Sequence, residues 1–185
     1  HRLGINPFDQ PNVQAAKEKA KALMAELKKH GELPKIETLC AQDGVSISPS
    51  KASERALGGR KARPALDAAV AGFFAAVADG DYAAILPYLN PDGTYEEELN
   101  RLRKATAGFS ALAVQMGYGP RYLHSTGQLH KGGANNGHFL LISREDGPDL
   151  EIPGAGHSFG QLVRAQALGD FQALDESGRR ALFIQ

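Results

Sequence analysis

Apolar positions recur at three- and four-residue steps over residues 11–30, through Val13, Ala16, Ala20, Met24 and Leu27. That spacing predicts an amphipathic helix. Asp9 is placed to cap it, Pro11 suits its first turn, and Gly31 ends it. Residues 36–48 read as two short strands around Gln42-Asp43-Gly44, a hairpin signal. Residues 49–64 are rich in Ser, Gly, Lys and Arg without a period, and read as a loop or linker. A second helix is expected over 66–78, with Leu66, Val70, Phe73, Phe74 and Val77 on one side and Gly80 as its stop. Asp81 is expected to cap a short helix running to Leu89, broken by Asn90-Pro91-Asp92-Gly93. Thr94 and Glu97 have capping-box spacing for a helix to about Ala107.

The pattern then changes to strands. Residues 110–116 and 138–143 are apolar and strand-like, with a brief strand at 150–152. Ser158 and Gln161 form a second capping-box pair, opening a helix through Leu168. A short helical turn and a last strand at 181–184 follow. Strands alternating with helices predict an α/β fold, layered, with a largely parallel sheet flanked by helices, plus an N-terminal helix and a small hairpin.

Between the strands at 110–116 and 138–143 lies Gly117-Tyr-Gly-Pro-Arg121-Tyr-Leu-His124-Ser-Thr-Gly127-Gln128-Leu-His130-Lys131-Gly-Gly133. It holds two histidines, two cations and five glycines, a composition poorly suited to a core. Its second half is expected to be helical. In a parallel sheet it would lie at the carboxyl edge, where ligands bind.

The 185-residue chain fits one domain with room for an appendage, and 42% apolar content is enough for a core. Lys+Arg and Asp+Glu balance at 21 each, which argues against a nucleic-acid partner. No apolar run is long enough for a membrane span, and no signal peptide is visible. The single cysteine, Cys40, allows no internal disulfide and fits a reducing, cytoplasmic setting.

Four chemistries compete for the glycine-rich block. Gly117-x-Gly119 after a strand invites a dinucleotide reading, but position 122 is Tyr and the next acidic residue is Glu145. No nicotinamide, flavin or other cofactor is therefore expected. His124, His130, His138 and His157 tempt a metal reading. Yet 124 and 130 are six apart, on different helix faces, and no metal site is expected. His124 and Ser125 are adjacent and diverge on a helix, and no G-x-S-x-G elbow exists. Anion or sugar-phosphate binding fits best, with backbone N–H groups at a helix start, Arg121 beside them and His124 one turn in. The plainer alternative is that the glycines form turns and His124 is an ordinary helix residue.

Ile5-Asn6-Pro7-Phe8-Asp9-Gln10-Pro11-Asn12-Val13, with Lys17 following, resembles the N-P-F-D-Q-P-G-V…K segment of bacterial phosphoglucose isomerases. Leu123-His124-Ser125-x-Gly127-Gln128 resembles their L-H-S-x-G-Q helix. Ile152-Pro153 with Ser158-Phe159-Gly160 is similar to a third segment of the family. The matches cover about a third of the chain, and residues 30 to 105 carry none. In the compact isomerases N-P-F-D-Q-P comes last, whereas here it comes first. That order resembles the C-terminal part of bifunctional transaldolase/phosphoglucose isomerase fusions, and the chain, opening inside a motif, is expected to be a piece of a longer polypeptide.

The resemblance implies a sugar isomerase (SIS-like, Rossmann-like) fold. It divides the chain into residues 1–30, the end of a preceding isomerase lobe; 31–64, hairpin and linker; and 65–185, the SIS-like C-terminal domain. It implies that His124 and Lys17 are catalytic, assisting ring opening. In ordinary isomerases that histidine comes from the neighbouring subunit. Gln10, Arg121, Ser125 and Gln128 are the implied substrate-binding residues. The implied partners are glucose 6-phosphate and fructose 6-phosphate, the rest of the fusion polypeptide, and a possible second copy of the chain. No stretch matches the segment bearing the family's catalytic glutamate, and the Ser/Thr phosphate loop of the first lobe is absent. Glu96-Glu97-Glu98 is better read as a helix's first turn. The isolated chain is therefore expected to be inactive. The alternative function is a non-catalytic sugar-phosphate-binding or oligomerisation module.

Overall fold

A computed structural model describes residues 10–59, 63–109, 112–144 and 149–185. Six strands form one sheet: β1 (Cys40–Gln42), β2 (Val45–Pro49), β3 (Tyr82–Tyr88), β4 (Ala113–Met116), β5 (Gly137–Ser143) and β6 (Arg180–Ile184), in the order β1-β2-β6-β5-β3-β4. From β6 to β4 the pairings are parallel, with Ala84 opposite Phe139 and Leu140 opposite Leu182. The hairpin adds the antiparallel edge, with Ile47 opposite Ile184. Its turn places Asp43 and Gly44 at φ of 50° and 79°, the left-handed pair that tight hairpins require.

Helices cover both faces, as the alternation predicts. On one side lie α1 (Pro11–His30), α5 (Gly127–Gly132) and α6 (Phe159–Glu176). There Val13, Leu86, Leu141, Phe171 and Phe183 share a core. On the other lie α3 (Leu66–Ala75) and α4 (Glu96–Gly108), where Phe73, Ile85, Leu99 and Leu140 pack together. This is a layered, Rossmann-like α/β architecture.

Helix α1 packs antiparallel along α6. Leu23 meets Ala165 and Leu168, and Lys19 Nζ reaches Glu176 at 2.5 Å. The close approach falls at Gly169, where an added Cβ would stand 2.7 Å from the Ala20 nitrogen. Residues 10–30, the hairpin and the C-terminal stretch thus share one sheet and its cores.

Several expectations are corrected. Residues 82–88 are not a short helix but a central strand. Ala83, Ala84, Ile85 and Leu86 are buried on both faces, so the polar alternation that marks a half-exposed strand is missing. Asp81 caps no helix. Its carboxylate accepts from Ala78 N and pairs with His138 and Arg180. The linker expected over 49–64 contains α2 (Lys51–Ala56), whose start is capped by Ser50 Oγ accepting from Ser53 N. Helix α3 ends at Ala75, short of Ala78. Thr94 caps nothing, since its N–H donates to Asp92 and α4 begins at Glu96. The Glu96–Glu98 run does form the first turn of α4. The 150–152 strand reduces to one bridge, Glu151 with Ser158. Helix α6 opens on the expected Ser158–Gln161 capping box but runs through Gly169 to Glu176, absorbing the turn expected after Leu168. Asp9, the expected α1 cap, and Ser110 lie outside the described residues; Gln10 is the N-cap and its side chain makes no capping bond.

Candidate functional site

The glycine-rich block continues β4 along its neighbour. Gly117 N donates to Ile85 O at 3.1 Å and Gly119 N to Pro87 O at 2.9 Å, so the chain runs on beside β3 to the carboxyl edge of the sheet. Glycine is required at 119, because a Cβ there would sit 2.3 Å from the Tyr88 ring. These two amides are spent on β3 and are not free to cradle an anion. A cis Gly119–Pro120 bond leads into a single 3-10 turn, Arg121–His124. Ser125 N and Thr126 N both donate to Tyr122 O, closing that turn before α5 begins.

Arg121, His124 and Ser125 are exposed on this turn, and Gln10 and Lys17 are exposed on α1. Among the described residues, the side chains of Arg121, His124 and Lys17 make no hydrogen bond or ion pair. Ser125 Oγ donates to Tyr122 O at 3.1 Å. Gln128 is half-buried, and both ends of its amide engage Asn12: Nε2 donates to Asn12 Oδ1 at 2.8 Å, and Oε1 accepts from Asn12 N at 3.2 Å. Val13 packs against Gly127, where an added Cβ would lie 3.3 Å from its Cγ2. The structure therefore seats the start of α1 on the start of α5. Lys17 lies one helical turn beyond Val13, and His124 three residues before Gly127.

Beneath this surface lies a cluster that the sequence did not reveal. Lys131 Nζ and Asp170 Oδ1 form an ion pair at 2.5 Å, and both side chains are wholly buried. Asp170 Oδ2 accepts from the Tyr88 hydroxyl at 3.0 Å and from the Tyr122 hydroxyl. Lys131 Nζ also stands 5.4 Å from the Tyr122 ring centre. His130 Nδ1 is 2.9 Å from the Tyr82 hydroxyl. Arg179 donates to the carbonyls of Lys131 and Gly133, closing α5. The block read as unsuited to a core is thus half core, with Tyr122, Leu123, His130 and Lys131 all buried.

Burial dominates the electrostatics. It pulls the Lys131 ammonium down to about 7 and pushes the Asp170 carboxyl up to about 7. Burial, then the charge of Lys131, lowers His130 to about 4. Burial, then Asp170, holds Tyr88 well above its ordinary value, which keeps its hydroxyl a donor. Asp170 and Tyr88 had no local signal, since Tyr88 lies in the misread strand and Asp170 in the part of α6 assigned to a separate turn.

A cavity of about 700 Å³ opens at the carboxyl ends of β5 and β6, lined by Leu89, Leu99, Leu102, Ile142, Arg144 and Ile184. None of the six residues expected from sequence lines it. Among the described residues, no three His, Cys, Asp or Glu side chains gather as metal ligands would. No described helix is long and apolar enough to cross a membrane.

No protein-family model matches the chain, and no curated protein matches it. Among solved structures it is similar to a hypothetical protein from Thermus thermophilus, with a TM-score of 0.53 and 21% identity. The likeness covers 72% of this chain and 36% of that protein, so the chain corresponds to little more than a third of its length. At this identity the likeness is one of fold.

Proposed function

We propose that the chain is the C-terminal part of a bifunctional transaldolase/glucose-6-phosphate isomerase with an SIS-type fold. Its parent interconverts glucose 6-phosphate and fructose 6-phosphate in the cytoplasm. The observation that carries this reading is the pairing of Asn12 with Gln128 across 116 positions of sequence. Two of the three segments that resemble the isomerases, far apart in the chain, meet through these two residues.

Ring opening needs a proton on the ring oxygen and removal of one from the C1 hydroxyl. His124 serves as the proton-transfer group, exposed on the turn that leads into α5. Lys17 assists it from α1 as a cation beside the developing charge. Gln10, Arg121 and Ser125 face the sugar phosphate, while Gln128 holds α1 in register. The base that then moves a proton between C1 and C2 comes from another part of the parent.

In the parent polypeptide, His124→Ala is expected to lower the isomerase rate by about 10²–10⁴, the usual worth of a positioned acid–base group. An unchanged rate removes His124 from the mechanism. Residues 1–185 alone are expected to show no isomerisation, since they lack the base. Ring opening and reclosure need no such base, so faster exchange of the glucose 6-phosphate anomers, followed by NMR, reports the first step separately.

A further inference from the structure

Three elements converge on the carboxylate of Asp170 in α6. Tyr88 comes from β3, Tyr122 from the Arg121–His124 turn, and Lys131 from α5. The second and third of these bracket His124 in sequence. The turn itself is anchored inward by Tyr122 and Leu123, while Arg121 and His124 point outward. Tyr122 is also its backbone node: its N–H donates to Tyr118 O, and its carbonyl accepts from Ser125 N, Thr126 N and Ser125 Oγ.

A buried ion pair is a poor way to gain stability. Well-packed apolar side chains of similar volume commonly do as well or better, because both charges must be stripped of water. What a satisfied buried carboxylate offers is direction, since it accepts only from donors at set positions. An apolar contact would hold the turn to the core but would leave it free to slide.

We infer that Asp170 is a positioning residue for His124, clamping the Arg121–His124 turn through the Tyr122 hydroxyl while Lys131 balances its charge and ties α5 to the same point. The clamp fixes the turn two residues from the imidazole. Its bearing on catalysis rests on the role proposed for His124; its bearing on the turn does not.

Asp170→Asn strands Lys131 without a counter-charge, so the test uses Tyr122→Phe, which removes one hydroxyl and keeps the ring. In the parent polypeptide this variant is expected to lower kcat about tenfold with KM changed less than twofold, as a small misplacement of a reacting group does. Leu174→Val, a core truncation on the same face with no bond to the turn, is expected to leave kcat within twofold. Hydrogen exchange gives the independent readout. In Tyr122→Phe, exchange at the Ser125 and Thr126 amides is expected to rise at least tenfold, with β5 unchanged. Unchanged exchange at these amides overturns the clamp, whatever the activity. Raised exchange with unchanged kcat supports the clamp and overturns the role of His124 instead.

Discussion

His130 is uncharged in the folded protein at neutral pH, since burial and the adjacent Lys131 hold its pKa near 4. In the unfolded chain an imidazole titrates near 6.5. As pH falls between these two values, the unfolded chain takes up a proton that the folded chain refuses. Stability is therefore lost across that window, by about 3 kcal/mol at its lower end. His130→Phe keeps a ring in place and removes the titration. Its urea midpoint is expected to decline less steeply from pH 6.5 to 4 than that of the native chain. His138, also lowered mainly by burial, contributes equally to both and cancels. Parallel declines would show that His130 is not held neutral. Nothing local marked His130 or Lys131 as interior. Helix α5 has six residues, too few to display a period, and their burial depends on α6 and β3 from distant sequence. His124, Lys17 and Gln10 were expected from motifs, whereas the Asn12–Gln128 link between two of the resembling segments left no mark in the sequence.

At the scale of elements, Gly169 decides how α1 sits. In an isolated helix, Gly→Ala gains about 1 kcal/mol. At 169 the new methyl would press on the backbone of Ala20, and overpacking of this kind costs about 1–3 kcal/mol. Gly169→Ala is thus expected to lower Tm. Gly108→Ala, at the end of α4 with nothing within 4 Å, is expected to raise it slightly. A rise in both would mean that α1 does not approach so closely. The same glycine explains a misreading. Gly169-Asp170 looks like a helix stop, yet the glycine makes room for α1 and the aspartate is held by Lys131 and two tyrosines. The misread β3 has a different cause. Tyr82–Tyr88 is Ala-rich, contains Pro87 and is buried on both faces, so it shows neither alternation nor typical strand composition. Its identity comes from β4 and β5 on either side. Where one face of an element meets water, as in α1, the periodic pattern was sufficient.

For the whole molecule, the alternation of strands and helices predicted the layered parallel architecture. It did not predict the strand order, nor that the hairpin extends the main sheet through β6, because register between distant strands leaves no local trace. The antiparallel packing of α1 on α6 carries a consequence for biosynthesis. The two helices lie about 150 residues apart in the chain. At the usual pace of translation, ~5–20 residues per second, α1 leaves the ribosome roughly 7–30 s before its partner. For that interval Ala16, Leu23 and Leu27 lack the helix that covers them. Ribosome-stalled chains ending before residue 159 are expected to be cut within α1 by added protease, and chains that expose all of α6 to resist it. Equal cleavage of both would show that α1 finds shelter without α6. Helix α1, translated well before α6, is therefore secured only after it, and its neighbours at the His124 surface are completed only once α6 has emerged.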